Sequence, residues 1–257
     1  MYPPGDKPRL RKIKRIAKKL AKKLISNNVK AVALSEYLGG IEELKDEIYS
    51  NGIQILNGRI LFNYLVYDAI EYIANIGARK IETMEISILA NDSTDLVLEN
   101  IKFLAQRVKS LNIITNSIQK FKNVEKFLYD ELGILIKLSN NKNKGLARTD
   151  VIVNMDFSSD LISKYTIPNN RVIFNINGNI IIKSKKFNGI NVNDYKIEMP
   201  PEYKLDGFDD ETVYETIAVG YNKFNNVREI MAKDHIKITE LIGNNGKISD
   251  EEIRNLQ

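Results

Sequence analysis

A chain of 257 residues, 43% apolar and 28% charged, has enough surface to bury one large core or two small ones, as soluble globular proteins do. Without cysteine it has no disulfides, thiolate nucleophiles or cysteine metal sites, and its single histidine, His235, excludes a multi-histidine metal centre drawn from one chain. The net charge of +5 belongs to one segment: ten cations and no acid lie between Lys7 and Lys23, and beyond Lys23 28 bases face 32 acids.

No apolar run approaches the roughly 20 residues that span a bilayer, and the basic start is not followed by the continuous apolar core of a secretory signal, so the expected localisation is cytoplasmic. After the breaker-rich "MYPPGDKP", the stretch "RLRKIKRIAKKLAKKLISNN" places Leu10, Ile13, Ile16, Ala17, Leu20, Ala21 and Leu24 at helical spacing, with cations between them. Residues 1–28 therefore read as a basic amphipathic helix. Either its apolar stripe packs on the body of the protein, or residues 7–23 lie on nucleic acid or an anionic membrane.

Residues 29–80 read as a small α/β lobe: a strand at Val29–Ser35, a helix around "IEELKDEIYS", a strand at Ile53–Leu56 and a helix from Arg59 to Ala74. From 81 to 198 the alternation becomes regular. "EISILA", "LNIIT", "ILIKLS", "DVIVNM" and "RVIFNI" are strands, and helices are expected at Asp95–Lys109, Gln119–Leu132 and Ser159–Lys164. Ile- and Val-rich strands separated by helices predict an α/β fold with a doubly wound, mostly parallel sheet. "NGN" at Asn177–Asn179 predicts a hairpin turn leading to "IIIK" as an antiparallel edge strand. Residues 199–257 read as an acidic helical segment, with helices at Glu211–Phe224 and Val227–Leu241 and a frayed end. Its charge is opposite to that of the N-terminal helix, so the two ends are expected to dock within one chain or between two, which makes a homo-oligomer a candidate assembly.

In open α/β sheets the ligand crevice lies outside the carboxyl ends of the strands. Those ends here supply Asn91 and Asp92, Asn116 and Ser117, Ser139 and Asn140, Asn154 and Asp156, and Asn175 and Asn177. Of these, Asn91, Asp92, Asn116, Ser117, Asn154 and Asp156 are the candidate cofactor-binding residues. The loop Asn140–Asp150 adds Lys142, Lys144 and Arg148, which suit a small anionic ligand or nucleotide. There is no G-K-[ST] loop, no G-x-S-x-G elbow and no H-E-x-x-H pair, and no catalytic residue is assigned.

The first strand–helix turn reads "LANDSTD", with no glycine and two carboxylates. Glycines let such a turn bring its backbone N–H groups close to pyrophosphate, whereas Asp92 and Asp95 at the helix start would cap those groups and repel a phosphate. Two unit charges about 4 Å apart repel by roughly 4 kcal/mol at an effective dielectric of 20. A Mg²⁺ held by Asp92, Asp95 and Asp156 would reverse that sign. At the second strand end, Asn116 and Ser117 followed by Lys120 and Lys122 favour NADP over NAD for any dinucleotide that binds.

With "EISILAND" at the first strand and turn, "LNIITNS" at the second strand end and "ARTDVIVNMDF" at the fourth strand, Glu85–Ile176 resembles the Rossmann domain of the shikimate dehydrogenase and amino-acid dehydrogenase-like group. The resemblance implies a ribose-reading loop at Asn116–Ser117, a nicotinamide site beside Asn154–Asp156 and a substrate-binding role for the lobe at 29–80. The glycine motif is missing, and the first lobe has no placeable lysine–aspartate pair of the kind this group uses. The expectation is a divergent Rossmann-like protein, non-catalytic or regulatory, with weakened or lost dinucleotide binding. Its rivals are an NADP-dependent oxidoreductase with an atypical turn and an interaction module acting through the N-terminal helix.

Overall fold

The computed structural model describes residues 10–182, 187–221 and 226–256. The chain forms two compact units, Met1–Leu61 with Met199–Ile236 and Phe62–Glu198 with Lys237–Gln257. The first opens with α1 (Leu10–Ser26), β1 (Ala31–Ala33), α2 (Glu36–Gly39), α3 (Glu42–Ser50) and β2 (Gln54–Leu56). Next come α4 (Arg59–Tyr64), α5 (Val66–Ile76), β3 (Glu85–Leu89), α6 (Asp95–Ala105), β4 (Ser110–Ile114), α7 (Ile118–Leu132) and β5 (Lys137–Ser139). β6 (Val151–Asn154), α8 (Ser159–Ile162), β7 (Val172–Asn175) and β8 (Ile190–Glu198) complete the central run. The chain then contributes α9 (Asp210–Glu215), a π-helical turn at Thr216–Tyr221 and α10 (Val227–Lys233), and ends with β9 (Lys237–Gly243), β10 (Gly246–Lys247) and α11 (Asp250–Arg254).

In the second unit one sheet runs in the order β10-β9-β8-β7-β6-β3-β4-β5. The six strands from β8 to β5 are parallel, and in chain order they read 6-5-4-1-2-3, the winding of a dinucleotide-binding sheet with its switch point between β3 and β6. Every residue of β6 and β7 is buried, as is every residue of β3 after Glu85. That covering of both faces is why these strands read as unbroken Ile/Val runs. Leu89 of β3 pairs with Ile114 of β4 and with Asn154 of β6, so the strand ends flanking the switch point lie level with one another.

In the first unit β1 and β2 form a separate parallel pair. Ala17 of α1 packs with Leu44, Ile48 and Ile53, and Leu20 and Leu24 lie against the same cluster. The apolar stripe of the basic helix is thus a packing surface. Residues 1–9, with Lys7 and Arg9, lie outside the described residues.

Four expectations need correction. Residues 180–182 are not a strand, and Lys183 lies outside the described residues; the partner on that side of β7 is β8, which runs parallel to it. The cause is side-chain competition for the backbone of Ile180, whose N–H donates to Asn193 Oδ1 (3.1 Å) and whose carbonyl accepts from Asn191 Nδ2 (2.6 Å). The helix expected at Val227–Leu241 stops at Lys233, and after a turn at His235 (φ 55°) the chain becomes β9, antiparallel to β8. Residues 199–257 are therefore neither wholly helical nor one segment, since 199–236 and 237–257 belong to different units. The tail does not fray up to Leu256: Ser249 and Glu252 form a capping box on α11, and Ile253 is buried. Of the helix expected at Glu211–Phe224, Phe224 lies outside the described residues.

Candidate functional site

The site is the mouth of the switch point. β3 ends at Leu89, and the turn Ala90–Thr94 leads into α6. Thr94 is the N-cap of that helix, its hydroxyl accepting from Val97 N (3.4 Å). Asp92 and Asp95 therefore do not cap it, contrary to expectation. Asp95 lies in the first turn, where its charge complements the helix dipole, and Asp92 points outward into an ion pair with Lys120 of α7.

The turn's own amide donors are taken by a residue from the neighbouring strand. Asp156, two residues beyond β6, accepts Asn91 N–H on both oxygens (2.8 and 2.8 Å) and Asp92 N–H on Oδ2 (2.8 Å). Two adjacent backbone N–H groups converging on one carboxylate are an anion site already filled from within the chain. Partial desolvation of the Asp156 carboxyl, on a residue that keeps an exposed face, raises its pKa, the two amide hydrogen bonds oppose that, the Asp92 charge adds to it and Lys120 subtracts; the net shift is upward. Among the described residues, no group of three or more acids or histidines is placed to hold a metal ion, so the Mg²⁺ site on Asp92, Asp95 and Asp156 is not formed.

Around this lock the other candidates divide. Asn91 Oδ1 accepts Asn116 N–H (2.9 Å), joining the ends of β3 and β4, and Tyr165 OH donates to Asn116 Oδ1 (3.4 Å). Ser117 N–H donates to Thr115 Oγ1 (2.9 Å), which shapes the start of α7. Asn91, Asp92, Asn116 and Asp156 thus form one hydrogen-bonded cluster with Ser117 beside it. Asn154 belongs elsewhere. It is buried, its amide donates to Phe157 O and to Asn175 Oδ1 (3.0 Å each), and its Oδ1 accepts Phe157 N–H (2.9 Å).

That amide begins a ladder across the sheet that sequence reading missed. Asn175 donates to Asn191 Oδ1 (2.7 Å) and Asn193 Oδ1 (2.9 Å), and Asn193 donates onward to Asn244 Oδ1 (2.5 Å). Asn154, Asn175 and Asn193 are all buried and satisfied by one another, so the strand ends beyond the switch point are closed by amides. The only sequence trace is the run of Asn at successive strand ends. Lys142, Lys144 and Arg148 lie exposed on the loop after β5, and Asn141 Oδ1 fixes its first turn by accepting Asn143 N–H (3.0 Å) and Lys144 N–H (2.9 Å). His235 is exposed in the α10–β9 turn.

The first unit repeats the device with another residue. Glu215, fully buried on α9, accepts Asn57 N–H on Oε1 (3.2 Å) and Leu61 N–H on Oε2 (2.9 Å), and the amides of Gly58 and Ile60 also donate to it. Desolvation raises its pKa against the lowering by those four donors. Nothing local in "DETVYETI" marks this carboxylate, whose partners lie 154 and 158 residues earlier.

No protein-family model and no curated protein matches the sequence. Among solved structures the chain is similar to a shikimate dehydrogenase in complex with NADP+, at 14% identity and a TM-score of 0.33, over 54% of this chain and 51% of that one. It is similar to shikimate 5-dehydrogenase from Listeria monocytogenes in complex with shikimate and NAD (7%, TM-score 0.35, 72% and 74%). It is also similar to L-tryptophan dehydrogenase from Nostoc punctiforme (10%, TM-score 0.40, 98% and 72%). The chain spans about half the length of the first of these. The strand order, with its switch point between β3 and β6, defines the second unit as a Rossmann-like α/β domain. Within that class it is a divergent form whose first turn carries Asn91 and Asp92 and is closed by Asp156.

Proposed function

We propose that this Rossmann-like domain has a non-catalytic or regulatory role with weakened or lost dinucleotide binding. The observation that carries the reading is the Asp156 carboxylate on the N–H groups of Asn91 and Asp92. A pyrophosphate arriving at the turn meets a filled anion site with the charge of Asp92 next to it. The NADP preference expected from Lys120 and Lys122 is also weakened, because Lys120 pairs with Asp92 and Lys122 with Glu125. An anionic ligand in the crevice is met instead by Lys142, Lys144 and Arg148.

The rival reading, an NADP-dependent oxidoreductase, requires the phosphate to displace Asp156. Thermal unfolding with NADP, NAD and ATP, with and without Mg²⁺, separates the two. A ligand at 100 times its dissociation constant stabilises a fold by about 2.7 kcal/mol. The proposal expects no such shift at 1 mM of any dinucleotide (~1 mM being 100 times a ~10 μM constant); a shift with NADP that Mg²⁺ leaves unchanged would overturn it.

A further inference from the structure

The fold sorts the two faces of α1. Ala17 and Ala21 are buried, and Leu20 and Leu24 join them on the side that packs with Leu44 and Ile48 of α3. Arg15, Lys18, Lys19 and Lys22 follow the spacing i, i+3, i+4, i+7 and, at about 100° per residue, fall on the opposite face. All four are exposed, with Lys14 and Lys23 exposed on either side. Among the described residues no carboxylate holds any of these six cations. Like charges at i, i+4 destabilise a helix by a few tenths of a kcal/mol per pair, about 0.2–0.5, and among the described residues no carboxylate offsets them.

We propose that this face of α1 binds the phosphate backbone of double-stranded nucleic acid without reading its sequence. From Arg15 to Lys22 the stripe extends about 10 Å along the axis, a rigid row of cations against a polymer with one charge per about 1.7 Å. Its side chains from Arg15 to Lys22 are only Lys and Arg, and the attraction of such cations to phosphate, which fixes position on the duplex, carries no sequence information. Beyond Lys23 the chain is net acidic, so its densest run of cations lies in this segment.

A bilayer fits less well. Amphipathic helices hold membranes by burying their apolar face in the headgroup boundary, and that face of α1 is committed to the core of its own unit. Among the described side chains of the helix, the exposed large apolar residues, Ile16 and Ile25, are about 180° apart around the axis at 3.6 residues per turn, so no single plane presents both.

The test is fluorescence anisotropy of a labelled duplex of about 20 base pairs with the full chain, between 50 and 200 mM salt. Four neutralised phosphates give a log–log salt slope of about −3.6, roughly a hundredfold loss over that range, equal for scrambled sequences. The combined variant Arg15→Gln, Lys18→Gln, Lys19→Gln, Lys22→Gln keeps good helix formers and is expected to weaken binding at least tenfold at 50 mM and to flatten the slope. Single Lys18→Gln and Lys22→Gln changes each lower the slope by about one. The same charge change on the second unit, Lys80→Gln, Lys126→Gln, Lys137→Gln, Lys164→Gln, leaves both quantities in place. Absence of duplex binding by the unmodified chain, equal weakening by the control variant, or tighter binding to phosphatidylserine vesicles than to duplex each overturns the proposal.

Discussion

Replacing Asp156 with alanine tests whether the turn after β3 is an anion site closed from within. The substitution strips two backbone donors, Asn91 N and Asp92 N, of an acceptor at 2.8 Å. Hydrogen bonds to charged groups contribute about 1.5–3 kcal/mol each, but this residue is solvent-exposed, so water replaces much of the loss and a total of about 1–2 kcal/mol is expected. For a protein of this size that lowers the melting temperature by roughly 2–8 °C. Ligand binding should move the other way. A carboxylate about 4 Å from a phosphate charge opposes it by roughly 4 kcal/mol at an effective dielectric of 20, an upper bound of nearly three decades of affinity. Isothermal titration of NADP into both proteins reads the difference directly, and the alanine variant should bind at least tenfold more tightly while melting lower. If the unmodified chain binds NADP at micromolar concentrations, or the variant gains no affinity, the turn is not closed by Asp156.

Glu215→Gln keeps one acceptor oxygen but turns an NH₂ group toward amide donors, so urea unfolding should show a loss of about 1–3 kcal/mol for the buried amides left without an acceptor; unchanged stability would refute the four-donor arrangement. The pH dependence has a definite sign. Because Glu215 and Asp156 both have folded-state pKa values raised above their ordinary ones, the folded chain binds protons more tightly than the unfolded chain at these two sites. The relative stability they contribute is complete below the ordinary carboxyl range and is lost as pH rises through the raised values. The advantage of the unmodified chain over Glu215→Gln should therefore grow as pH falls from 7 toward 4.5, the ordinary value for Glu, and a gap that narrows would contradict the shift. Ser249→Ala removes the capping box of α11 and should cost about 1 kcal/mol, read as faster hydrogen exchange at Glu252 and Ile253; unaltered exchange would show that the box contributes nothing.

The strands around the switch point are legible because their residues are buried on both faces, so β3, β6 and β7 appear as unbroken Ile/Val runs between helices. β8 is not legible. Its "INVNDYKIE" carries Asn191 and Asn193 inward to an amide ladder, which erases the apolar alternation of a half-buried strand. β9 hides for a different reason: Ile238, Leu241 and Ile242 continue the helical spacing of α10, and only pairing with β8 separates strand from helix. The candidate site follows the same division. Asn91, Asp92, Asn116 and Asp156 can be chosen from strand ends alone, since topology places every parallel strand's carboxyl end on one side of the sheet. Their roles cannot, because the hydrogen bond from Asn91 N–H to Asp156 crosses 65 residues and the helix is capped by Thr94 in place of either aspartate.

Glu215 also sets a timetable for the chain's synthesis. The amides of Asn57 and Leu61 leave the ribosome some 150 residues before the carboxylate that will satisfy them. At about 5–20 residues per second the turn before α4 waits on the order of ten seconds with water as its only partner. In that interval the parallel strands β3 to β8 have all been made, while the first unit is still missing its final contributions. A nascent chain stalled near residue 200 should therefore protect the amides of β3 and β6 from exchange and leave those of Asn57 to Leu61 open.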